Sequence, residues 1–166
     1  PSSASIPETY TYFYQAPYSS KDLRPVAKVG VPVLTIAVKG DSPMNSVKDL
    51  AEYARTNPGA KIGIHGKSTL GYLAMRAIAK AENVSMVDVP FDGDTKIVPA
   101  ILGGHVPAGT PAFPAVKALL DAKQLKLFGL LLEKRADFAP TVPTFSELGY
   151  NFPAGSSLGI FAPTGS

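Results

Sequence analysis

Apolar residues along this chain fall into short blocks set apart by Pro and Gly, and the spacing inside the blocks changes from strand-like runs to the 3.6-residue period of a helix. Val33 to Val38, dense in β-branched residues and bounded by Pro32 and Gly40, predicts a strand. Ser46 with Asp49 three residues on predicts a capping box, followed by Leu50, Tyr53 and Ala54 at helical spacing and a stop at Asn57-Pro58-Gly59. Lys61 to Ile64 predicts a short strand. After the loop from His65 to Ser68 comes a helix with Leu70, Leu73, Ala74, Ala77, Ile78 and Ala81 inward and Arg76 and Lys80 on a polar face.

The pattern then repeats. Ser85 to Val89 reads as a strand, Pro90 to Gly93 as a loop, and Asp94 as the N-cap of a helix carrying Ile97, Val98 and Ile101, stopped by Gly103-Gly104. His105 to Gly109 is a weak strand, Pro114 to Ala122 a helix with Val116, Leu119 and Leu120 inward, and Leu125 to Leu132 the strongest strand. Pro140, Pro143 and Pro153 break the order beyond it, leaving a short helix at Thr144 to Leu148 and a last strand at Leu158 to Phe161. Residues 1–30 read as a lead-in, with Tyr10 to Tyr14 alternating weakly and Pro17 to Pro25 turn-like.

Strand and helix in alternation predict βαβ units, because parallel neighbours need a crossover and a helix supplies it. The fold class is α/β, a mostly parallel sheet with flanking helices. In such sheets ligands bind beyond the carboxyl ends of the strands, where loops lead into helix N-termini. Three loops qualify: His65 to Thr69, Phe91 to Thr95 and Gly109 to Ala112.

Composition narrows the chemistry. The 166 residues include no Cys, which excludes disulfides, thiolate metal sites and a cysteine nucleophile, and the two histidines, His65 and His105, cannot alone build a zinc site. The net charge of +3 comes from basic residues scattered singly, a poor basis for nucleic-acid binding. No apolar run approaches the ~20 residues of a membrane span. The chain starts at Pro1 and stops at Pro163-Thr164-Gly165-Ser166, which reads as a processed or truncated piece.

The turn Gly63-Ile64-His65-Gly66-Lys67-Ser68-Thr69 suggests a phosphate-cradling loop, and a nucleotide- or phosphate-binding enzyme is the alternative reading it offers. A P-loop, however, needs Gly where Lys61 stands, and Ser85 interrupts the apolar run before Asp88 that a magnesium-binding partner strand would need. The turn suits one small anion better: glycines allow close approach, helix-terminal N–H groups point outward, and Ser68 and Thr69 can bond a carboxylate. Capping alone also accounts for those two hydroxyls, and solvent for Lys67. Phe91-Asp92-Gly93-Asp94-Thr95 is too short an acidic run for calcium, and Gly109-Thr110-Pro111-Ala112 adds a hydroxyl and a backbone turn, with Phe113 reading as core. There is no Gly-x-Ser-x-Gly elbow, and Glu133, Asp137 and Glu147 have no spacing for paired acid–base work, so nothing speaks for catalysis or calls for a cofactor.

The order of these motifs resembles the periplasmic substrate-binding proteins of tripartite tricarboxylate transporters, the Bug-type receptors. The resemblance runs from Ala16-Pro17-Tyr18-Ser19-Ser20-Lys21-Asp22-Leu23-Arg24-Pro25-Val26-Ala27 through Ser46-Val47-Lys48-Asp49-Leu50, Asn57-Pro58-Gly59 and Gly63 to Ala74, where Tyr72-Leu73-Ala74 stands for the family's histidine-leucine-alanine. It continues in Val89-Pro90-Phe91-Asp92-Gly93, Leu102-Gly103-Gly104-His105-Val106, Val142 to Tyr150 and Phe161-Ala162-Pro163-Thr164-Gly165.

The resemblance implies one lobe of a two-lobed type II periplasmic binding protein: residues 1–30 as a remnant of the first lobe, 31–135 as the second, ligand-binding lobe and 136–166 as a return segment. It implies a periplasmic receptor that captures a small carboxylate and hands it to membrane permease subunits. Ligand contacts would come from His65, Gly66, Lys67, Ser68 and Thr69, from Phe91, Asp92, Gly93, Asp94 and Thr95, and from Thr110 and Ala112. Lys67 replaces a small or amide residue of the family, Pro107 and Pro111 replace acidic ones, and Asp92 and Asp94 replace a basic and a small polar one, which alters pocket charge and loop stiffness. A missing first lobe would expose apolar surface, so self-association is expected.

Overall fold

Seven strands, four α-helices and a 3-10 turn at Ser20–Asp22 follow one another in the computed structural model, which describes residues 15, 17–150 and 158–165. The strands are β1 (Leu23–Gly30), β2 (Thr35–Lys39), β3 (Lys61–Ile64), β4 (Val87–Pro90), β5 (Ala108–Gly109), β6 (Leu125–Leu130) and β7 (Leu158–Pro163). The helices are α1 (Val47–Thr56), α2 (Leu70–Ala81), α3 (Asp94–Leu102) and α4 (Phe113–Asp121). The expectations at Tyr10–Tyr14, Ala16 and Pro153 lie outside the described residues. No helix among those residues is long and apolar enough to cross a membrane.

Five strands form one sheet in the order β4-β3-β5-β2-β6. β3 pairs in parallel with β4 and β5, while β2 runs against both β5 and β6. The sheet is therefore mostly parallel, with β2 as its one reversed strand. Period-two alternation sends Ile36 and Val38 of β2 to a face covered by α1 and α2, together with Leu50, Leu70 and Ile78, and sends Ala37 to the other face, with Ile97 and Ile101 of α3 and Val116 of α4. Helices on both faces explain why the inner strands carry continuous apolar runs.

β1 and β7 pair only with each other, antiparallel, from Leu23 opposite Pro163 to Gly30 opposite Leu158. The turn-like reading of Pro17 to Pro25 holds through Asp22, where Ser20–Asp22 form a 3-10 turn, and the ribbon corrects it from Leu23 onward. Pro25 is tolerated inside β1 because the register slips between Pro25 and Ala27.

Other boundaries moved for identifiable reasons. The β2 ladder begins at Thr35 rather than Val33, since Leu34 makes only an isolated bridge to Ala112. Ser85 and Met86 lie before β4 because its parallel partner β3 begins only at Lys61, opposite Val87; the Met86 carbonyl accepts instead from Arg76 Nη2 at 3.0 Å. His105 and Val106 spend their N–H groups on Ala100 O at the end of α3, so β5 keeps only Ala108–Gly109. Leu131 and Leu132 fall beyond β6.

In α1, Ser46 Oγ accepts from Asp49 N at 3.1 Å, and the Asp49 carboxylate accepts most closely from the N–H of Asn45, at 2.7 Å. On α2 the fully buried stripe runs through Gly71, Ala74, Met75, Ile78 and Ala79, and Ala81 is exposed. Thr144 to Leu148 form a single turn rather than a helix. Glu147 and Thr144 cap it reciprocally at 2.8 and 3.2 Å, and Gly149, at φ +85°, ends it at once.

Candidate functional site

Because β3, β4 and β5 are parallel, the segments that follow them emerge at one edge of the sheet. These are His65–Thr69 before α2, Phe91–Gly93 before α3, and Thr110–Ala112 before α4. The reversed β2 begins at the same edge and adds a support that the pattern of loops did not reveal. Thr35, fully buried, donates its hydroxyl to Pro111 O at 2.9 Å, and its backbone N–H reaches the same carbonyl at 3.0 Å. A Thr opening an apolar strand was the available signal.

The first loop is built from inside. Thr69 is the N-cap of α2: its hydroxyl donates to Gly66 O at 2.7 Å and accepts from Tyr72 N at 3.4 Å. Ser68 is buried beside it, and Lys67 projects into solvent. The Thr69 hydroxyl is thereby committed within the loop, and the phosphate-loop reading of Gly66 to Thr69 gains no support.

Thr110 is fully buried. Its backbone N–H donates to Gly63 O at 3.0 Å, and its hydroxyl lies against Gly71, where an added Cβ would stand 2.3 Å from Oγ1. Gly71 is thus required by the close approach of α2 to the third loop. Phe91 packs over Gly63, and its N–H donates to Ile64 O at 2.8 Å. Asp92 and Thr95 are exposed, with Asp92 paired to Lys96 at 3.3 Å one helical turn on.

Asp94 departs from the expected cap. Gly93, at φ +88°, is the residue before α3, and Asp94 is the first residue of the helix. Its carboxylate is drawn away from the helix end by two other donors. His65 Nε2 lies 2.9 Å from Oδ1, and the N–H of Ala112 donates to the same oxygen at 3.0 Å. One oxygen atom therefore joins the first, second and third loops.

An ionised carboxylate only accepts hydrogen bonds, so the histidine carries its proton on Nε2. Nδ1 is buried with no partner among the described residues. Burial alone would raise the Asp94 carboxyl, but the hydrogen bonds from His65 and Ala112, with the imidazole's charge, outweigh it and hold the group below its ordinary range. Nearby, Asp88 on β4 is shifted the other way: burial raises it, and Arg76, at 2.9 Å, and the field of Lys67 offset this only in part. Among the described residues no group of His, Asp and Glu is arranged to hold a metal ion.

The arrangement gathers His65, Phe91, Gly93, Asp94 and Ala112 as half-buried groups at one edge, with Gly66, Ser68, Thr69 and Thr110 beneath them and Lys67, Asp92 and Thr95 around them. Together they form a rim of loops and helix N-termini.

The model of the family described as "Tripartite tricarboxylate transporter family receptor" matches residues 2–166. A curated relative from Cupriavidus necator, "UPF0065 protein in gbd 5'region", is 30% identical over 178 residues, covering 98% of this chain and 54% of its own length. A TctC solute-binding protein from Polaromonas superposes with a TM-score of 0.79 at 25% identity, over 95% of this chain and 55% of that one. The R. palustris protein Rpa4515, solved with adipate, gives a TM-score of 0.75 at 26% identity, over 89% of this chain and 50% of that one. The chain spans about half the length of the curated relatives it matches.

Proposed function

We propose, since the chain belongs to the tripartite tricarboxylate transporter receptor family, that it supplies one wall of a binding cleft for a small organic acid. The observation that carries this reading is the convergence of three loops and three helix N-termini on the edge where β3, β4 and β5 end, knit together through Asp94. Helix N-termini and outward N–H groups favour an anion. As the receptor family implies, a bound acid is held and released unchanged. The similarity to a protein solved with adipate supports a carboxylate as the ligand class. In this reading the protein works in the periplasm and presents its ligand to membrane permease subunits.

The test is a thermal-shift screen of the chain in its full native sequence context against dicarboxylates including adipate, tricarboxylates, aromatic acids, amino acids and magnesium ATP. A native-state ligand raises the melting midpoint by mass action. A rise with one class of acid and none with ATP is expected. No rise with any acid, from protein that melts cooperatively, overturns the reading.

A further inference from the structure

A negative charge fixed at the meeting point of the three loops has consequences for what can bind beside it. The Asp94 carboxylate accepts both from His65 Nε2 and from the N–H of Ala112, through the same oxygen. The Ala112 N–H lies at the start of α4, where its hydrogen would otherwise be offered to an external anion; here the chain's own carboxylate takes it. His65 gives its Nε2 proton to that oxygen, and its Nδ1 is buried, out of a ligand's reach. What this meeting point contributes to the rim is therefore the Asp94 carboxylate, with both neighbouring donors already spent on it. The other charged groups of this edge do not cancel that charge at short range: Lys96 is engaged by Asp92, and Lys67 projects into solvent.

We propose that Asp94 is a positioning and specificity-determining residue. It ties the three loops into one rim and, as a built-in anion, turns that rim against a second carboxylate and toward an acid whose far end is a hydrogen-bond donor, such as an ammonium or hydroxyl group. The inference rests on the reading of this edge as an acid-binding cleft. It narrows that reading from organic acids in general to acids carrying a donor.

The test uses the chain in its full native sequence context with Asp94→Asn and Asp94→Ala. The asparagine retains an oxygen that accepts from His65 and Ala112 while losing the charge; the alanine loses both. Calorimetric titration compares succinate, butyrate and γ-aminobutyrate, which are similar in length and differ in the charge of the far end. The unaltered protein is expected to bind γ-aminobutyrate more tightly than succinate. Asp94→Asn is expected to move that ratio toward succinate by about tenfold, the scale of one charge removed from a partly solvated site.

In parallel, hydrogen exchange at the Ala112 amide should stay slow in Asp94→Asn and become fast in Asp94→Ala, an outcome that needs no ligand. An unchanged ratio in Asp94→Asn overturns the selectivity role. Unchanged exchange at Ala112 in Asp94→Ala overturns the tie. Binding of none of the three acids to any variant overturns the acid-binding reading itself, and the selectivity with it.

Discussion

At the loop edge of the sheet, polar groups are withdrawn from solvent and bonded to one another, whereas along the β1–β7 ribbon apolar groups face outward. Thr35, Thr69 and Thr110 are all buried at that edge, and each hydroxyl lies against a backbone carbonyl, those of Pro111 and Gly66 in loops and that of Gly63 near the end of β3. On the ribbon, Val26 is 57% exposed, Val29 63% and Ile160 54%. The edge is over-determined: a loop cannot shift without breaking hydrogen bonds inside a low-dielectric layer, where an unpaired group is costly. The ribbon is held by its own ladder and has few side chains tucked beneath it. One region is built to keep a shape on its own account, and the other offers apolar surface to something else.

The sharpest way to break this contrast is to make the same change in both places. Ile36 on β2 is fully buried between α1 and α2. Ile36→Ala should cost about 3 kcal/mol of unfolding free energy in a urea titration, combining lost transfer energy with a cavity. Ile160→Ala on the ribbon should change it by no more than about 0.5 kcal/mol. Equal costs at the two positions would show that the ribbon is packed as tightly as the sheet. Next in size is Gly71→Ala. Its new Cβ would stand 2.3 Å from Thr110 Oγ1 and 2.7 Å from Thr110 Cβ, and a loss of about 2 kcal/mol is expected despite the better helix propensity of alanine. A neutral or stabilising Gly71→Ala would mean that α2 does not press on the third loop.

The ribbon side is probed by association rather than by folding. Exposed valine, isoleucine and phenylalanine on a two-stranded edge invite contact with another chain. The 166-residue chain on its own should sediment as more than a monomer at high concentration. Val29→Lys combined with Ile160→Lys should return it to a monomer with its melting temperature nearly unchanged. Monomeric sedimentation of the unaltered chain at every concentration would remove the distinction drawn between the two regions.

Much of the sheet was legible because its signals are local. The β-branched run at Val33 to Val38, the four residues Lys61 to Ile64 and the 3.6-residue period after Ser68 each depend on neighbours in sequence, and each yields an element close to its expected place. The three loops followed from that order. What stayed hidden depends on distant partners. Nothing within β2 states that it runs against β5 and β6, since direction is fixed by pairing. Leu23 to Gly30 reads as part of a lead-in, turn-like as far as Pro25, until Leu158 to Pro163, far along the chain, supplies its ladder. Asp94 looks like a cap because capping is what Asp does beside a helix, yet its actual partners lie 29 residues before it and 18 after it. A carboxylate's choice between its own helix end and two donors from other loops is settled by tertiary geometry.

The smallest expected effect is also the one that isolates the Asp94 tie from the rest of the edge. Its carboxyl is held below the ordinary range in the folded protein, so the folded state binds that proton less readily than the unfolded chain does. The resulting stabilisation is fully present above the unfolded value, near pH 4, and is lost as the pH falls through the lower folded value. The unaltered chain should therefore lose stability more steeply with acidification below about pH 4 than Asp94→Asn, which has no proton to take up there. Above about pH 5 the two stability curves should run parallel, offset only by the difference between a charged and a neutral acceptor for His65 and Ala112. Denaturant titrations across this range measure the two slopes. Identical slopes below pH 4 would show that His65 and Ala112 do not hold the carboxylate in solution, and would place the stiffness of the edge with Thr35, Thr69 and Thr110 alone.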